Sequence, residues 1–163
     1  MKDRAQRLMA EGFDAVGESD TRRARQIVKE LKKLRHSSAF EILAQAYLAE
    51  DRLQDAVKTL EEGVRLAPTV WRLWQLLGNC HSDLERYQES DTCHRRALEC
   101  PSTDPGSIHL NMAIAHSKKQ RLAEAVQELQ IELANQPENK HARAFLQQLS
   151  AQLAEQLAKA ARQ

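Results

Sequence analysis

Apolar residues recur along this chain at helical spacing, three and four apart, between short polar interruptions. Leu8, Met9 and Phe13 form a stripe that predicts a helix over about residues 3–16. Gly17–Asp20 reads as a turn rich in capping residues. Ala24, Ile27, Val28, Leu31 and Leu34 then mark a second helix over about residues 21–35. Further breaks are predicted near residues 50–52, 84–86 and 119–121. After Pro137 no breaker occurs, and Phe145, Leu146, Leu149, Leu153 and Leu157 step along one face of a long C-terminal helix. Its first half suits a cap on the preceding helices. The stretch Ala151–Gln163 is longer than a cap needs, so the seam Leu149–Leu153–Leu157 is expected to self-associate or dock on a partner.

The pattern repeats at a fixed period. One unit carries Phe40, Leu43, Ala44, Tyr47, Ala56, Leu60 and Pro68. The next carries Trp74, Leu77, Gly78, His81, Ser90, His94, Ala97 and Pro101. A third carries His109, Met112, Ala113, His116, Ala125, Leu129 and Pro137. The leading residues lie 34 and then 35 apart, with the extra residue in the loop Pro101–Ser102–Thr103–Asp104–Pro105. Trp74–Gln75–Leu76–Leu77–Gly78 matches the opening of the pattern W-x2-L-G-x2-Y…A-x3-F…P, and the chain resembles the tetratricopeptide repeat family. The resemblance covers residues 37–138 and divides the chain into a divergent N-terminal helix pair (1–36), three units (37–70, 71–105 and 106–138) and a C-terminal capping or extension helix (139–163). It implies an all-α, right-handed superhelical solenoid, expected here as three and a half helix pairs plus the terminal helix.

Local chemistry is consistent with that division. Ser38-x-x-Glu41 and Asp51-x-x-Gln54 read as capping boxes. Asp104–Pro105 reads as an N-cap followed by a preorganised first helical residue. Pro68 and Pro137 stand just past helices they cannot continue. The small residues Ala44, Ala56, Gly78, Ala113 and Ala125 fall where paired helices cross, and allow close approach of their axes.

Composition sharpens the fold class. Gly and Pro number only 5 and 4 in 163 residues, while Ala, Leu, Gln, Glu, Lys and Arg fill about three-fifths of the chain. Val, Ile and Thr together supply sixteen residues, too few for a sheet-built domain. A net charge of +1 excludes a strong, chain-wide nucleic-acid binder. The charge is uneven, however: residues 1–36 carry +4 and the remainder −3. Arg22, Arg25, Lys29 and Lys32 follow helical spacing and predict a basic face flanked by Arg23, Lys33 and Arg35. That face is either a solvated exterior or a patch for RNA, phosphate or an acidic partner. No aromatics interleave with it to stack on bases.

No apolar run approaches a membrane span, and the opening MKDRAQRLMAEG lacks the apolar core of a signal peptide. Cys80, Cys93 and Cys100 form no CxxC pair and are odd in number, so a cytoplasmic location is expected. Cys80–His81 and Cys93–His94 invite a zinc hypothesis. By the family pattern, though, His81, His94 and His116 stand at core aromatic positions, and Cys is a common small core residue. Neither metal nor cofactor is expected. The chain has no nucleophile elbow, Walker loop, dinucleotide fingerprint or HExxH motif, so it is not expected to be an enzyme. Trp74 sits at the family's core aromatic position; Trp71 is off the pattern, and either covers the preceding turn or stands at an edge.

The resemblance also implies a concave groove, lined by the first helix of each pair, in which a peptide or helix of a partner protein binds. Carried onto this chain, the groove holds Arg72, Gln75, Asn79, Leu110, Asn111, Ile114 and Lys118, with Glu41, Gln45 and Asp83 also facing it. Glu41 and Asp83 would then be rim charges that repel strongly acidic ligands. Chaperone-binding members clamp a terminal carboxylate with Lys, Asn, Asn, Lys and Arg. Asn79 and Asn111 fit that set, but His141 and Phe145 stand where cations belong. The reading is therefore a non-catalytic interaction adaptor. The alternative is a regulatory or targeting module of a larger protein whose catalytic part lies outside this chain.

Overall fold

The computed structural model describes residues 2–101 and 103–162; Met1, Ser102 and Gln163 lie outside the described residues. Among the described residues there are nine helices and no strand. They are α1 (Lys2–Gly17), α2 (Thr21–Lys33), α3 (Ser38–Leu48), α4 (Leu53–Leu66), α5 (Trp71–Asp83), α6 (Tyr87–Glu99), α7 (Pro105–Lys118), α8 (Leu122–Asn135) and α9 (Lys140–Ala160). Helices α1 and α2 make a complete pair, so the array holds four pairs before α9, half a pair more than expected.

The four turns within pairs share one backbone solution. Ser19, Asp51, Glu85 and Gln120 each adopt a left-handed conformation, with φ of 59, 57, 59 and 61°. After each, an N–H donates back across the helix end: Asp20 to Ala15, Arg52 to Tyr47, Arg86 to His81 and Arg121 to His116, all at 2.8–2.9 Å. This Schellman closure satisfies carbonyls that helix ends otherwise leave open. Neither of the two expected capping boxes forms. Asp51 is the left-handed turn residue rather than a cap, and the Ser38 hydroxyl instead meets His36 Nδ1 at 2.7 Å. Side-chain caps occur at Asp20, which accepts from the Arg23 N–H, and at Asn139, which accepts from the Ala142 N–H. Pro105 does open α7, but Asp104 accepts from the Gln136 amide instead of capping.

Each helix packs on its sequence neighbours, and α3 also touches α1 and α5, as α5 touches α7. The even-numbered helices make no comparable contacts with one another. The array therefore curves around its odd-numbered helices, whose outer faces line the concave side. Ala44, Ala56, Ala113 and Ala125 are fully buried at the helix crossings. A Cβ on Gly78 would lie 2.8 Å from His94 Nε2, and one on Gly63 would lie 2.9 Å from Phe40 Cβ, so both glycines mark true close approaches. Helix α9 covers the end of the stack: Ala142 and Leu149 are buried against Leu122, Ala125 and Leu129, with Leu153 half-buried beside them. Of the expected C-terminal seam only Leu157 is left fully open, at 63% exposure.

Candidate functional site: the concave face

Helices α5 and α7 lie side by side on the concave face. Steps of three and four residues bring Arg72, Gln75 and Asn79 to one side of α5, and Asn111, Ile114 and Lys118 to one side of α7. Asn79, Ser82, Asp83, Asn111, Ile114 and Lys118 enclose an open recess of about 200 Å³. Arg72 and Gln75 lie further toward the start of α5. Leu110 turns away, half-buried against the C-terminal core.

Several of these side chains are already engaged. Lys118 Nζ donates to Asp83 Oδ1 at 2.8 Å, so its charge is neutralised locally. The Gln75 amide donates to Ser107 Oγ at 2.7 Å, tying α5 to α7. Asn79 Oδ1 accepts from His94 Nε2 at 3.0 Å, which leaves the Asn79 amide donor facing the recess. Asn111 has no hydrogen-bond partner among the described residues, and Ile114 is 38% exposed. The recess thus offers two amide side chains and one aliphatic surface, with its cation and carboxylate paired.

Glu41 is not the rim charge expected of it. It is buried, 3.8 Å from Arg72 Nη1, and burial raises its carboxyl pKa against the opposing pull of Arg72. The basic face of α2 is also broken up. Arg25 donates to Glu50 at 2.8 Å and lies over the Tyr47 ring, and hydrogen bonding to Arg25 pulls Glu50 down to about 2. Arg23 pairs with Glu18 and Lys33 with Glu30.

His81, His94, His116, Cys80 and Cys93 act as core. His81, His94 and His116 are buried, and desolvation lowers all three pKa values, that of His94 to about 4. Burial pushes the Cys80 and Cys93 thiols up to about 11 and about 12, so neither is poised as a nucleophile. Among the described residues no three His, Cys, Asp or Glu side chains converge as metal ligands, and no helix is long and apolar enough to cross a membrane. Trp71 packs toward Ala97, Ile108 and Met112 between two pairs, with Arg72 over its ring.

Profiles of the tetratricopeptide repeat match residues 37–80, which hold α3, α4 and most of α5, and residues 72–100, which hold α5 from its second residue and α6. Residues 37–100 of the chain are tetratricopeptide repeats. Comparison with curated proteins by sequence gave no match. Solved structures with the same fold include TTC0263, a tetratricopeptide repeat protein of Thermus thermophilus, with a TM-score of 0.79 and 18% identity over 90% of this chain and 81% of that one. PilF of Pseudomonas aeruginosa gives a TM-score of 0.84 and 14% identity over 94% of this chain and 71% of that one. A chain of the APC/C hetero-tetramer Cut9-Hcn1 gives a TM-score of 0.76 and 16% identity over 89% of this chain but 29% of that one. At these identities the likeness is one of fold: an all-α repeat solenoid. Tetratricopeptide repeat arrays are, as a class, protein–protein interaction modules.

Proposed function

We propose that the chain is a non-catalytic, cytoplasmic adaptor that binds a peptide or helix of a partner protein on its concave face. The observation that carries this reading is the recess between α5 and α7, where the amides of Asn79 and Asn111 stand beside the exposed face of Ile114. Amides recognise backbone carbonyls and N–H groups without a charge being lost, and Ile114 offers area for one apolar anchor. Arg72 and Gln75 extend the polar track toward α3. Leu110 contributes by setting the position of α7 through its packing. The thiols of Cys80, Cys93 and Cys100 are all unpaired, as suits a reducing compartment.

Affinity in such an open groove is expected to be modest, on the order of micromolar, or about −8 kcal/mol. The test is affinity capture from native lysate, comparing the full chain with an Asn111→Ala, Ile114→Asp variant. Both residues are free of intramolecular hydrogen-bonding roles among the described residues, so the variant should melt like the parent. Loss of a captured partner from the variant supports the concave reading. Equal capture by both overturns it.

A further inference from the structure

A second recess lies at one edge of the array, away from the α5–α7 groove. It measures about 540 Å³ and is formed where the end of α2, the α2–α3 turn, the start of α3 and the end of α4 meet. Phe40 and Leu66 supply its apolar surface. Leu66 is 58% exposed. Gly63 lets Phe40 seat directly on α4, which fixes the ring in place. The α2 side is basic: Lys32 Nζ stands 5.6 Å from the centre of the Phe40 ring, and Arg35 and His36 line the same opening. Arg35 is held there by a left-handed backbone, φ 52°, that ends α2.

Two features separate this notch from a generic surface. First, its cations are not neutralised. Arg23, Arg25 and Lys33 of α2 are each paired with a carboxylate, whereas Lys32 and Arg35 have no ion-pair partner among the described residues. Second, the same edge recurs one repeat later, and there its polar groups are closed off. Phe40, Glu62, Leu66 and Ala67 correspond to Trp74, Arg96, Cys100 and Pro101, each 34 residues on, and these line a smaller recess of about 340 Å³. In that recess Arg96 pairs with Glu99 at 2.9 Å and Trp74 Nε1 donates to the Pro68 carbonyl at 2.8 Å. The first notch alone of these two combines an open apolar floor with unpaired positive charge.

We propose that this notch is a second protein-docking site, which takes a large apolar side chain carried on an acidic peptide segment of a partner. The apolar anchor would cover Leu66 and Phe40, and flanking carboxylates would meet Lys32 and Arg35. Glu62, one helical turn before Leu66, repels acids on the α4 side and so directs the charged flank toward α2. The floor favours a protein segment over RNA, because Phe40, seated against α4 with Lys32 over its ring, shares it with the aliphatic Leu66, which suits an apolar side chain better than a stacked base.

The probe is the peptide acetyl-EELFEE-amide, titrated into the isotope-labelled full chain and followed by amide chemical shifts. Saturable shifts are expected at residues 32–40 and 62–67, in the micromolar to millimolar range. A Lys32→Glu, Arg35→Glu variant should weaken binding about tenfold or more, with unchanged helicity, since both residues are exposed and make no ion pair among the described residues. The control acetyl-EEAAEE-amide should lose a similar share of affinity. The Asn111→Ala, Ile114→Asp variant should bind the peptide as the parent does, which separates this site from the concave one. Absence of saturable shifts in the notch, shifts confined to α5 and α7, or affinity unchanged by charge reversal would each overturn the proposal. So would capture of oligouridine or phosphatidylserine vesicles through Lys32 and Arg35 without capture of the peptide.

Discussion

Asn79 Oδ1 and His94 Nε2 are 3.0 Å apart, so one side chain of the concave face also holds a fully buried imidazole of α6. The ring is sealed in by Gly78 on one side, and its Nδ1 lies 3.5 Å from Ser90 Oγ. Removing the Asn79 amide leaves a buried N–H without a partner, which costs about 1–3 kcal/mol. Asn79→Ala is therefore expected to lower the free energy of urea unfolding by that amount, whereas Asn111→Ala should change it by less than about 0.5 kcal/mol. Equal stability of the two variants would show that the Asn79–His94 bond carries no weight in the fold.

Burial holds His94 near pKa 4, with Asp91 opposing the shift and His116 adding to it. The unfolded imidazole takes its proton near 6.5, so between about pH 6.5 and 4 the unfolded chain binds more protons than the folded one. Stability from this group is thus complete above pH 6.5 and falls as pH drops, by at most ~3 kcal/mol. His81 and His116, also lowered by burial, act in the same direction. Glu41 and Glu132, raised by burial, act in the other. Titration of the His94 ring by NMR isolates the group: a midpoint near 4 is expected, and one above 6 would contradict this account.

Gly78 shows how far the repeat pattern alone specifies the fold. Its place in the repeat marks a helix crossing, and a Cβ there would indeed sit 2.8 Å from His94. Gly78→Ala should cost about 1–3 kcal/mol through overpacking, measured by denaturant unfolding. Periodicity of this kind reports on packing, which is why helix faces, pairing and the cap are legible in the sequence. The pairing of polar groups is not, because it depends on residues from other repeats: Glu41 reads as a rim charge until Arg72 is placed 3.8 Å away, and Arg25 reads as part of a basic stripe until Glu50 reaches it. The notch beside Leu66 is equally hidden, since its lining comes from three helices and a turn.

The turn residues make a separate prediction. Glu85 is exposed, makes no side-chain hydrogen bond among the described residues, and is held at φ 59°. A left-handed conformation costs a non-glycine residue roughly 1–2 kcal/mol, and glycine escapes most of that. Glu85→Gly should therefore raise the melting temperature, even after the entropy that glycine adds to the unfolded chain. A lower melting temperature would mean the closure does not limit stability.

For self-association through α9, Leu149 is already buried in the cap, so the surface left is Leu157 and the open half of Leu153. Burying two leucines is worth at most about 3–6 kcal/mol before the cost of association. Any dimer through this surface should form only at high micromolar concentration and disappear in a Leu153→Glu, Leu157→Glu variant. Sedimentation equilibrium reads both outcomes. A monomer in both chains at that concentration removes α9 as a self-association surface.

Glu132 and Asn139 tie the last pair to its cap. Asn139 has two tasks: its Oδ1 accepts from the Ala142 N–H to start α9, and its Nδ2 donates to Glu132 Oε1 at 2.7 Å. The other oxygen of Glu132, a fully buried side chain, has no partner among the described residues. Burial raises the Glu132 pKa, the hydrogen bond from Asn139 opposes that, and Asp104 reinforces it. A raised carboxyl favours the folded state when protonated, so its contribution is complete below about pH 4.5 and declines as pH rises through the folded pKa. Glu132→Gln keeps an acceptor for Asn139 and removes the buried charge. It should leave stability unchanged or raise it by about 1–2 kcal/mol at pH 7, with the gain vanishing below pH 4.5. Asn139→Ala removes the cap and the donor together, and should cost about 1–3 kcal/mol at pH 7, seen first as loss of amide-exchange protection at the start of α9. If Glu132→Gln destabilises at pH 7 by as much as Asn139→Ala does, the charge of Glu132 is stabilising where it lies, and burial is not what governs it.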